Sequence, residues 1–428
     1  MIIHVVQTGE TLSSIADYYG VSIRSVMEDN GLGNQDNLVV GQSLVISKPT
    51  SVYSVKEGDT LGNIAAQNNI SFFQLLANNP FLSDREYLIP GDTLIINHEK
   101  KGSIISHGFT GTNISNSTLQ KTLPYLTYLS ILNFTATKEG EILSYYDETE
   151  IIKLSKAYSV VPLMFLTTLT MQGGANIAID FDIILNEDFQ DRQITNILDI
   201  LKTKGYAGLN LSLQYISLSN IQFYDRYFEK VTNRLNEEGY EVFVTINPNI
   251  SQINNDISFQ RIDYSPINLL AENIIFMNYE WSNNINIPSP ISSIYRTELF
   301  LNFILNYIPP EKIIIGIATL GYDWELPYVS GISNIYSISY NNAINLAQNY
   351  GATIQFDIVS QTPYFNYTAN AYENHIVWFM DARSINATLD LISKYGLAGI
   401  SIWNLAIFNP QLMLIVNAQY DIVKASLD

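Results

Sequence analysis

Segment 205–215 is an apolar, β-rich run interrupted by three polar residues whose side chains can form hydrogen bonds. These residues are Asn210, Ser212 and Gln214, and the segment contains no carboxylate. A glutamine amide cannot donate a proton at neutral pH, and a serine hydroxyl cannot stabilise a developing positive charge as a carboxylate does. The segment is therefore suited to hold a ligand by hydrogen bonds, but it lacks the groups for acid catalysis.

A series of apolar, β-rich runs that alternate with helical stretches is expected to position these residues. This alternation is the order expected of a parallel sheet wrapped by helices. It predicts an α/β fold, a (β/α)8 barrel with insertions. The predicted strands are 103–109, 125–134, 160–166, 206–214, 240–247, 273–279, 312–318 and 397–404.

The segment 324–381 separates the last two predicted strands and is too long for a single crossover. Its aromatic, strand-like content predicts a small α+β insertion that walls a cleft. Two carboxylates, Glu280 and Asp323, are expected at the ends of the sixth and seventh strands, on the face where barrel active sites lie. They are the candidates to replace a missing acid, and shaping the cleft is their alternative role.

The N-terminal part of the chain contains an internal repeat. Gly-acid-Thr-Leu occurs at 9–12 and again at 58–61, after a β-rich start in each copy. Thr11 and Thr60 are placed to cap a helix whose apolar residues follow helical spacing. A second apolar helix and a closing strand complete each copy, so the pattern predicts the order βααβ twice.

This order, with Gly-Asp-Thr-Leu, Asn-Pro and Pro-Gly-Asp-Thr-Leu, resembles the LysM module, which binds peptidoglycan, chitin and other N-acetylglucosamine-containing glycans. The resemblance implies that sugar lies between the first strand–helix loop and the loop after the second helix. Turn formation and capping are the alternative role of the same residues. The implied binding residues are Gly9, Glu10, Thr11, Leu12, Asn30, Gly31, Leu32, Gly58, Asp59, Thr60, Leu61, Asn79, Pro80, Phe81 and Leu82. We expect weaker binding by repeat 1, which lacks the Asn-Pro of repeat 2.

The large remainder is similar to glycoside hydrolase family 18. The similarity rests on Lys-Gly-Tyr at 204–206 and on motifs at 276–281, 321–329, 378–384 and 399–403. Together with the two N-terminal modules, it implies the spore cortex-lytic N-acetylglucosaminidase type of endospore-forming bacteria.

Family 18 hydrolysis is substrate-assisted: the sugar's acetamide attacks the anomeric carbon, a Glu protonates the leaving oxygen, and an Asp orients the acetamide. The family's motif on strand four is Asp-Gly-x-Asp/Asn-x-Asp-x-Glu. Its four polar positions correspond here to Ala207, Asn210, Ser212 and Gln214. Loss of the general acid alone costs roughly 10²–10⁴ in rate. The resemblance therefore implies a pseudoenzyme; an engineered substrate trap is the alternative, but three positions depart together.

The resemblance also implies a better preserved sugar-binding floor. Trp403, which ends the last strand, matches the family's stacking platform, and Tyr279 matches the tyrosine that contacts the acetamide. Ordinary packing is the alternative role of each aromatic residue. Further groove contacts are expected from Ser212, Gln214, Glu280, Trp281, Tyr322 and Trp324.

Composition excludes several classes of function. The chain has 22 Lys+Arg against 41 Asp+Glu, a net charge of −19 that repels nucleic acid and anionic lipid. It has no cysteine, and its four histidines lack ligand spacing, so neither a metal nor a cofactor is predicted. The N-terminus lacks a basic region followed by an apolar one, which predicts synthesis without a standard export signal.

We therefore predict a non-catalytic protein of the spore cortex and coat periphery, placed there from the mother cell. Its predicted partners are peptidoglycan or another N-acetylglucosamine-containing glycan and spore coat proteins, but neither nucleic acid nor membrane. The alternatives are an active cortex-lytic enzyme that uses another acid and a purely structural coat protein. The predicted domains are LysM modules at 1–48 and 49–98 and a barrel at 99–428, with its insertion at about 324–381.

Overall fold

The computed structural model describes residues 1–33, 38–84, 87–169, 176–248, 250–253, 256–278, 288–329 and 332–425. Two small N-terminal modules precede a barrel that carries an inserted sheet. In the parts of the chain just given, no helix is both long and apolar enough to cross a membrane.

Both N-terminal modules have the predicted order βααβ, and in each the first and last strands pair antiparallel. Thr11 and Thr60 cap the first helices as predicted, because each hydroxyl accepts a backbone amide of the first turn. The elements are β1 (Ile2–Val5), α1 (Leu12–Tyr19), α2 (Ile23–Asn30), β2 (Ser43–Ile46), β3 (Ser51–Ser54), α3 (Leu61–Gln67), α4 (Phe72–Asn78) and β4 (Thr93–Asn97).

The predicted (β/α)8 barrel is confirmed. The further strands among the described residues are β5 (Ser103–Gly111), β6 (Tyr128–Ala136), β7 (Ile142–Ser144), β8 (Val161–Thr167), β9 (Gly208–Leu213), β10 (Glu241–Ile246), β11 (Ile250–Ile253), β12 (Asp256–Phe259), β13 (Ile274–Phe276), β14 (Ile313–Ala318), β15 (Leu320–Leu326), β16 (Ile335–Ser339), β17 (Gln355–Asp357), β18 (Thr362–Ala369), β19 (Glu373–Trp378), β20 (Gly399–Trp403) and β21 (Asp421–Ile422). The barrel strands are β5, β6, β8, β9, β10, β13, β14 and β20. They form a closed parallel sheet, since β5 pairs with both β20 and β6.

Helices surround the barrel, apart from one that packs on the inserted sheet. Those described are α5 (Asn116–Thr122), α6 (Thr149–Ala157), α7 (Ile177–Leu185), α8 (Glu187–Lys204), α9 (Ile221–Glu237), α10 (Ser265–Leu270), α11 (Ile294–Ile304), α12 (Tyr340–Asn349), α13 (Ala382–Tyr395) and α14 (Pro410–Gln419). The second barrel strand begins at Tyr128 instead of 125, because Leu123–Tyr125 forms a 3-10 turn containing Pro124.

Helix α8 delivers the chain to β9, the strand that carries the candidate site. Asn186 caps its first turn, and Glu187 and Lys204 place opposite charges where the helix dipole favours them. The helix ends at Gly205, whose φ of 79° is a left-handed conformation that favours glycine. The strand therefore starts directly after a sharp, sequence-specified stop.

The predicted α+β insertion is also confirmed. Within the described chain it is a five-stranded antiparallel sheet in the order β16-β15-β19-β18-β17, with α12 packed on one face. Its first strand, β15, begins at Leu320, ahead of the expected start at 324. The reason is that Leu320–Leu326 pairs with both β16 and β19.

Candidate functional site

Strand β9 presents its apolar residues outward and its polar residues inward. Leu209, Leu211 and Leu213 are buried between the barrel and its helices. Asn210 and Ser212, which alternate with them, are also buried and face the barrel interior, as the two-residue period of a strand requires. The neighbouring parallel strands β8 and β10 hold β9 in register.

Asn210 belongs to a chain of neutral hydrogen bonds across the barrel interior. Its Nδ2 donates to Ser130 Oγ at 2.9 Å, and its Oδ1 accepts from Thr245 Oγ1 at 2.8 Å. His107 continues the chain, with one ring nitrogen 2.8 Å from Ser130 Oγ and the other 2.8 Å from Ser401 Oγ. Complete burial lowers the pKa of His107 to about 3, so this ring stays uncharged. Asn210 is thus committed to the barrel's own packing.

Ser212 and Gln214 lie further along, toward the barrel mouth. Ser212 is 5% exposed, and Gln214 is half-buried with its Nε2 3.5 Å from Thr167 Oγ1 on the adjacent strand. The structure therefore brings together the two polar positions that the resemblance assigns to an orienting Asp and an acid; that assignment stays a prediction. Ala207 lies before β9, at the other end of this run, and packs against the apolar cluster inside the barrel.

The carboxyl ends of the barrel strands are uncharged throughout the part of the chain that the structure describes. Each strand has a hydroxyl or amide residue within two residues of its end. These residues are Thr110, Thr135, Thr167, Gln214, Asn247, Asn278, Thr319 and Asn404. The strand-end residues of this mouth offer hydrogen bonds to a sugar and carry no charge near neutral pH. The carboxyl of Asp180, whose pKa is raised to about 6 by burial, lies beneath them in a small cavity that Thr167 and Ser212 also line.

Trp403 forms part of the floor of this mouth. It packs edge-on against Phe109, with ring centroids 5.1 Å apart, and it contacts the cluster around Met277 and Met380. The backbone amide of Thr319 donates to the Trp403 carbonyl at 2.8 Å. The indole is only partly buried, so an exposed part of the ring remains available for stacking on a sugar.

The predicted contacts Tyr279, Glu280 and Trp281 lie outside the described residues. The chain just before them is well fixed: Asn278 donates to Thr297 Oγ1 at 3.2 Å and accepts from the Gly316 amide at 2.6 Å.

Asp323 was expected at the end of the seventh barrel strand, but it lies in β15 of the inserted sheet. Its carboxylate is 7% exposed, accepts from Tyr367 at 2.7 Å and lies 2.9 Å from His375 Nδ1. It therefore organises the insertion. The expectation that Trp324 contacts substrate is also corrected, because this side chain is 2% exposed and packs edge-on against Tyr328.

The acidic residue of each LysM first loop shapes its own turn. Glu10 accepts from the Gln7 amide at 2.6 Å and lies 2.9 Å from His4 Nε2. Asp59 accepts from the Lys56 amide at 2.7 Å and from the Tyr53 hydroxyl at 3.0 Å. Both carboxylates therefore hold their own turn, and the sugar contact expected of these loops stays a prediction. The glycines beside them, Gly9 and Gly58, are exposed with φ of 85° and leave the loop backbone open.

Asn30 and Asn79 have matching structural roles in the two modules. Asn30 donates to the carbonyls of Val26 and Val45 and accepts from the Val45 amide. Asn79 makes the same three bonds to Leu75 and Ile95. Each residue is 1% exposed, and its side chain joins the second helix to the last strand. The sugar contacts predicted for these loops therefore fall to their backbone and stay a prediction.

The other predicted LysM residues divide into exposed and buried groups. Thr11, Thr60 and Gly31 are exposed, and Leu61, Pro80, Phe81 and Leu32 are partly buried. Leu12 and Leu82 are 3% and 4% exposed and belong to the module cores, so they shape the loops from beneath.

Residues that sequence reasoning missed are His107, Ser130, Ser401 and Gln411. The first three stand in apolar strands, and a buried polar residue in such a strand must find a partner. Applied to the sequence, that rule could have predicted that these three residues form hydrogen bonds in the barrel interior. For Gln411, which contacts Asn30 in the first module, local pattern carries no signal.

Comparisons with known proteins agree with this architecture. The pattern of Glycosyl hydrolases family 18 matches residues 106–406, and the LysM domain pattern matches 4–47 and 53–97. A cortical fragment-lytic enzyme of Bacillus subtilis (strain 168) is 31% identical, over 99% of this chain and 99% of its own.

Solved structures of the same organisation are similar along the whole chain. The spore cortex-lytic enzyme SleL of Bacillus megaterium QM B1551 has a TM-score of 0.79 at 30% identity, covering 99% of each chain. SleL of Bacillus cereus has a TM-score of 0.80 at 28% identity, covering 99% of this chain and 98% of that one. The chain is therefore a member of glycosyl hydrolase family 18 that carries two LysM domains ahead of its barrel.

Proposed function

We propose that this protein holds N-acetylglucosamine-containing glycan, with spore cortex peptidoglycan as its ligand, without cleaving it. Two LysM domains and a family 18 barrel support a glycan ligand, and the cortex-lytic relatives support peptidoglycan and the spore cortex and coat periphery. The proposed role is anchoring or scaffolding, with spore coat proteins as further partners.

The observation that supports a loss of catalysis is that β9 and the residue after it present Ser212 and Gln214 at the mouth, the positions that the family motif assigns to the orienting Asp and the acid. Neither side chain can deliver a proton to a leaving glycosidic oxygen or stabilise the charged intermediate. The loss of general acid help costs roughly 10²–10⁴ in rate, and loss of charge stabilisation adds to it. A neutral mouth next to a partly exposed Trp403 instead favours holding an uncharged sugar.

The proposed contacts combine three surfaces. In the barrel they are Trp403, Ser212 and Gln214, with Tyr279 by resemblance to the family. In the LysM modules they are the open first loops around Gly9 and Gly58 and the loops after the second helices. The buried Asn30 and Asn79 hold those second loops in shape.

Purified full-length protein tests the proposal through pulldown on cortex peptidoglycan and through assay of released reducing ends. We expect retention of the protein without release of reducing ends. Trp403→Ala is expected to lower retention, whereas Tyr372→Ala, which removes a 91% exposed aromatic ring, serves as the matched control. Release of reducing ends at rates typical of an enzyme contradicts the proposal.

An active enzyme is the second candidate, because a relative that matches over 99% of this chain is a cortical fragment-lytic enzyme. Glu280 is then the candidate acid, since Asp323 is held by Tyr367 and His375. Turnover that is abolished by Glu280→Gln and unaffected by Gln214→Ala supports this candidate. Retention that depends only on the LysM loops identifies the barrel as a scaffold and supports a structural protein.

A further inference from the structure

A groove of about 210 Å³ opens where the first module, the barrel and the insertion meet. It lies directly beside the candidate sugar floor. Asn404, which follows Trp403, lines it, and so does Thr319, whose amide bonds to the Trp403 carbonyl. The groove therefore adjoins the backbone that carries Trp403, although the indole itself is not among the lining residues.

The residues that line the groove are uncharged, and some are polar while others are apolar. Among the described residues that line it, none is Asp, Glu, Lys, Arg or His. Asn341, Asn404 and Asn409 bring side-chain amides, and Ile407, which is 61% exposed, brings an apolar rim. Sugars present this same mixture of hydroxyls, amides and apolar ring faces.

Two of these amides are oriented by the backbone. The side-chain oxygen of Asn404 accepts from the Ala406 amide at 3.0 Å, and that of Asn409 accepts from the Leu412 amide at 3.1 Å. In each of the two amides the oxygen is therefore already hydrogen-bonded. The nitrogen of each amide remains as the donor that an acetamide or hydroxyl oxygen requires.

The first module closes one side of the groove in a fixed position. Asn30 lines the groove, and the next residue, Gly31, sits so close to Pro410 that a Cβ there would lie 3.0 Å from Pro410 Cγ. The loop of the module that LysM resemblance assigns to sugar is thus docked against the barrel. The groove joins that loop to the Trp403 floor.

We infer that this groove is a second subsite, shared by the first LysM module and the barrel, for an uncharged N-acetylated sugar of the glycan that Trp403 holds. The inference rests on the proposed function. The volume is below the roughly 300–1,000 Å³ of whole small-molecule sites, which fits a single sugar unit. The neutral lining and the chain's net charge of −19 disfavour the carboxylates of peptide stems.

Tryptophan fluorescence can isolate this site from the LysM loops. The four tryptophans of the chain, Trp281, Trp324, Trp378 and Trp403, all lie after residue 98. The probes are a dimer and a hexamer of N-acetylglucosamine, titrated into the full chain. The variants are Ala406→Phe, which fills the groove, and Asn341→Ala, which removes an amide. The control is Asn342→Ala, one residue further along α12 and outside the groove.

We expect Asn341→Ala to bind the hexamer about fivefold more weakly than wild type, since one lost hydrogen bond corresponds to roughly that factor. Ala406→Phe is expected to weaken hexamer binding by at least as much, because its ring excludes the sugar from the groove, and the affinity of both variants for the dimer is expected to be unchanged. The control is expected to match wild type. Hexamer affinity that is equal in wild type and both groove variants overturns the subsite and leaves the Trp403 floor in place. A wild-type protein that shows no response to either oligomer, and no heat of binding by calorimetry, overturns the subsite and the proposed barrel ligand together.

Discussion

The side-chain amide of Gln411 donates to Asn30 Oδ1 at 2.9 Å and so joins the last helix of the barrel to the first LysM module. The same nitrogen lies 2.9 Å from the Ser43 carbonyl of that module. Asn417, further along α14, makes the corresponding contact with the second module, donating to Asn78 Oδ1 at 2.8 Å. One helix of the barrel therefore bonds to both modules, which places the proposed LysM and barrel surfaces on one connected framework.

The first prediction concerns this junction. Gln411→Ala removes one donor from Asn30 Oδ1, which keeps the Val45 amide, and one from the Ser43 carbonyl, which keeps the Tyr340 hydroxyl. We therefore expect the free energy of unfolding to fall by about 1 kcal/mol, the net contribution of an ordinary hydrogen bond. Urea denaturation of the full chain measures the change. Gln222→Ala, at an exposed position of α9, is the control and is expected to unfold like wild type. Equal midpoints for the two variants contradict the junction's contribution.

The second prediction concerns a buried carboxylate beneath the mouth, in a small cavity that Thr167 and Ser212 also line. Asp180 on α7 accepts a hydrogen bond from the Tyr224 hydroxyl, and burial raises its pKa to about 6. Between its unfolded pKa near 4 and this folded value the native state binds more protons, so stability falls as pH rises from about 4 to about 6. The stability lost over that window is about 3 kcal/mol. The neighbouring Tyr215 and Tyr227 have pKa values raised by burial and do not titrate there.

Asp180→Asn is expected to abolish this slope, because an asparagine oxygen still accepts from Tyr224 but carries no charge. Urea midpoints at pH 4, 5, 6 and 7 measure it. Asp182→Asn, at an exposed position on the same helix, is the control and should keep the wild-type slope. A slope that survives in Asp180→Asn assigns the effect to another group.

The barrel strands, the βααβ repeats and the insertion were predictable because each depends on local pattern: apolar runs, helical spacing and capping residues such as Thr11. The location of Ser212 and Gln214 at the end of a barrel strand was also predictable from the alternating pattern, whereas their replacement of catalytic residues stays a prediction. Hydrogen-bond partners that lie far apart in the chain were not predictable from the sequence. The contact of Gln411 with Asn30 joins residues at opposite ends of the chain, and no local periodicity encodes it.

Burial explains the structural roles of several predicted site residues. Asn30, Asn79 and Trp324 have side chains suited to sugar binding, but the sequence does not show that each is almost fully enclosed. Asp323 was expected at a strand end because its neighbours resemble a family motif. The chain instead turns back into β15 directly after β14, which carries the carboxylate to the insertion, where Tyr367 and His375 bind it.

The third prediction follows from the uncharged mouth. The described strand ends carry hydroxyls and amides, and His107 stays neutral with its pKa lowered to about 3. Burial raises the pKa of Asp180 to about 6, but this residue is 6% exposed and lies beneath Ser212, so the described strand-end residues that can touch an oligomer do not change charge between pH 5 and 8. We expect the affinity of the barrel for a neutral N-acetylglucosamine oligomer to change less than about twofold over this range, measured by tryptophan fluorescence. A bell-shaped dependence points instead to a titrating carboxylate, with Glu280 as the candidate to substitute.

The fourth prediction restores the missing chemistry. Ser212→Asp with Gln214→Glu places a carboxylate pair at the mouth, where the charge of the Asp raises the pKa of the Glu toward the range of a general acid. We expect this double variant to release reducing ends from cortex peptidoglycan at a rate measurably above wild type, and adding Ala207→Asp to increase it. The matched control is Ser212→Asn with Gln214→Glu, which keeps the shape of the Asp but not its charge and is expected to stay inactive.

Circular dichroism checks that each variant folds, since Ala207→Asp introduces a carboxylate where an alanine packs in the barrel interior. Activity in wild type equal to that of the double variant contradicts the assignment of Ser212 and Gln214 as the lost catalytic positions.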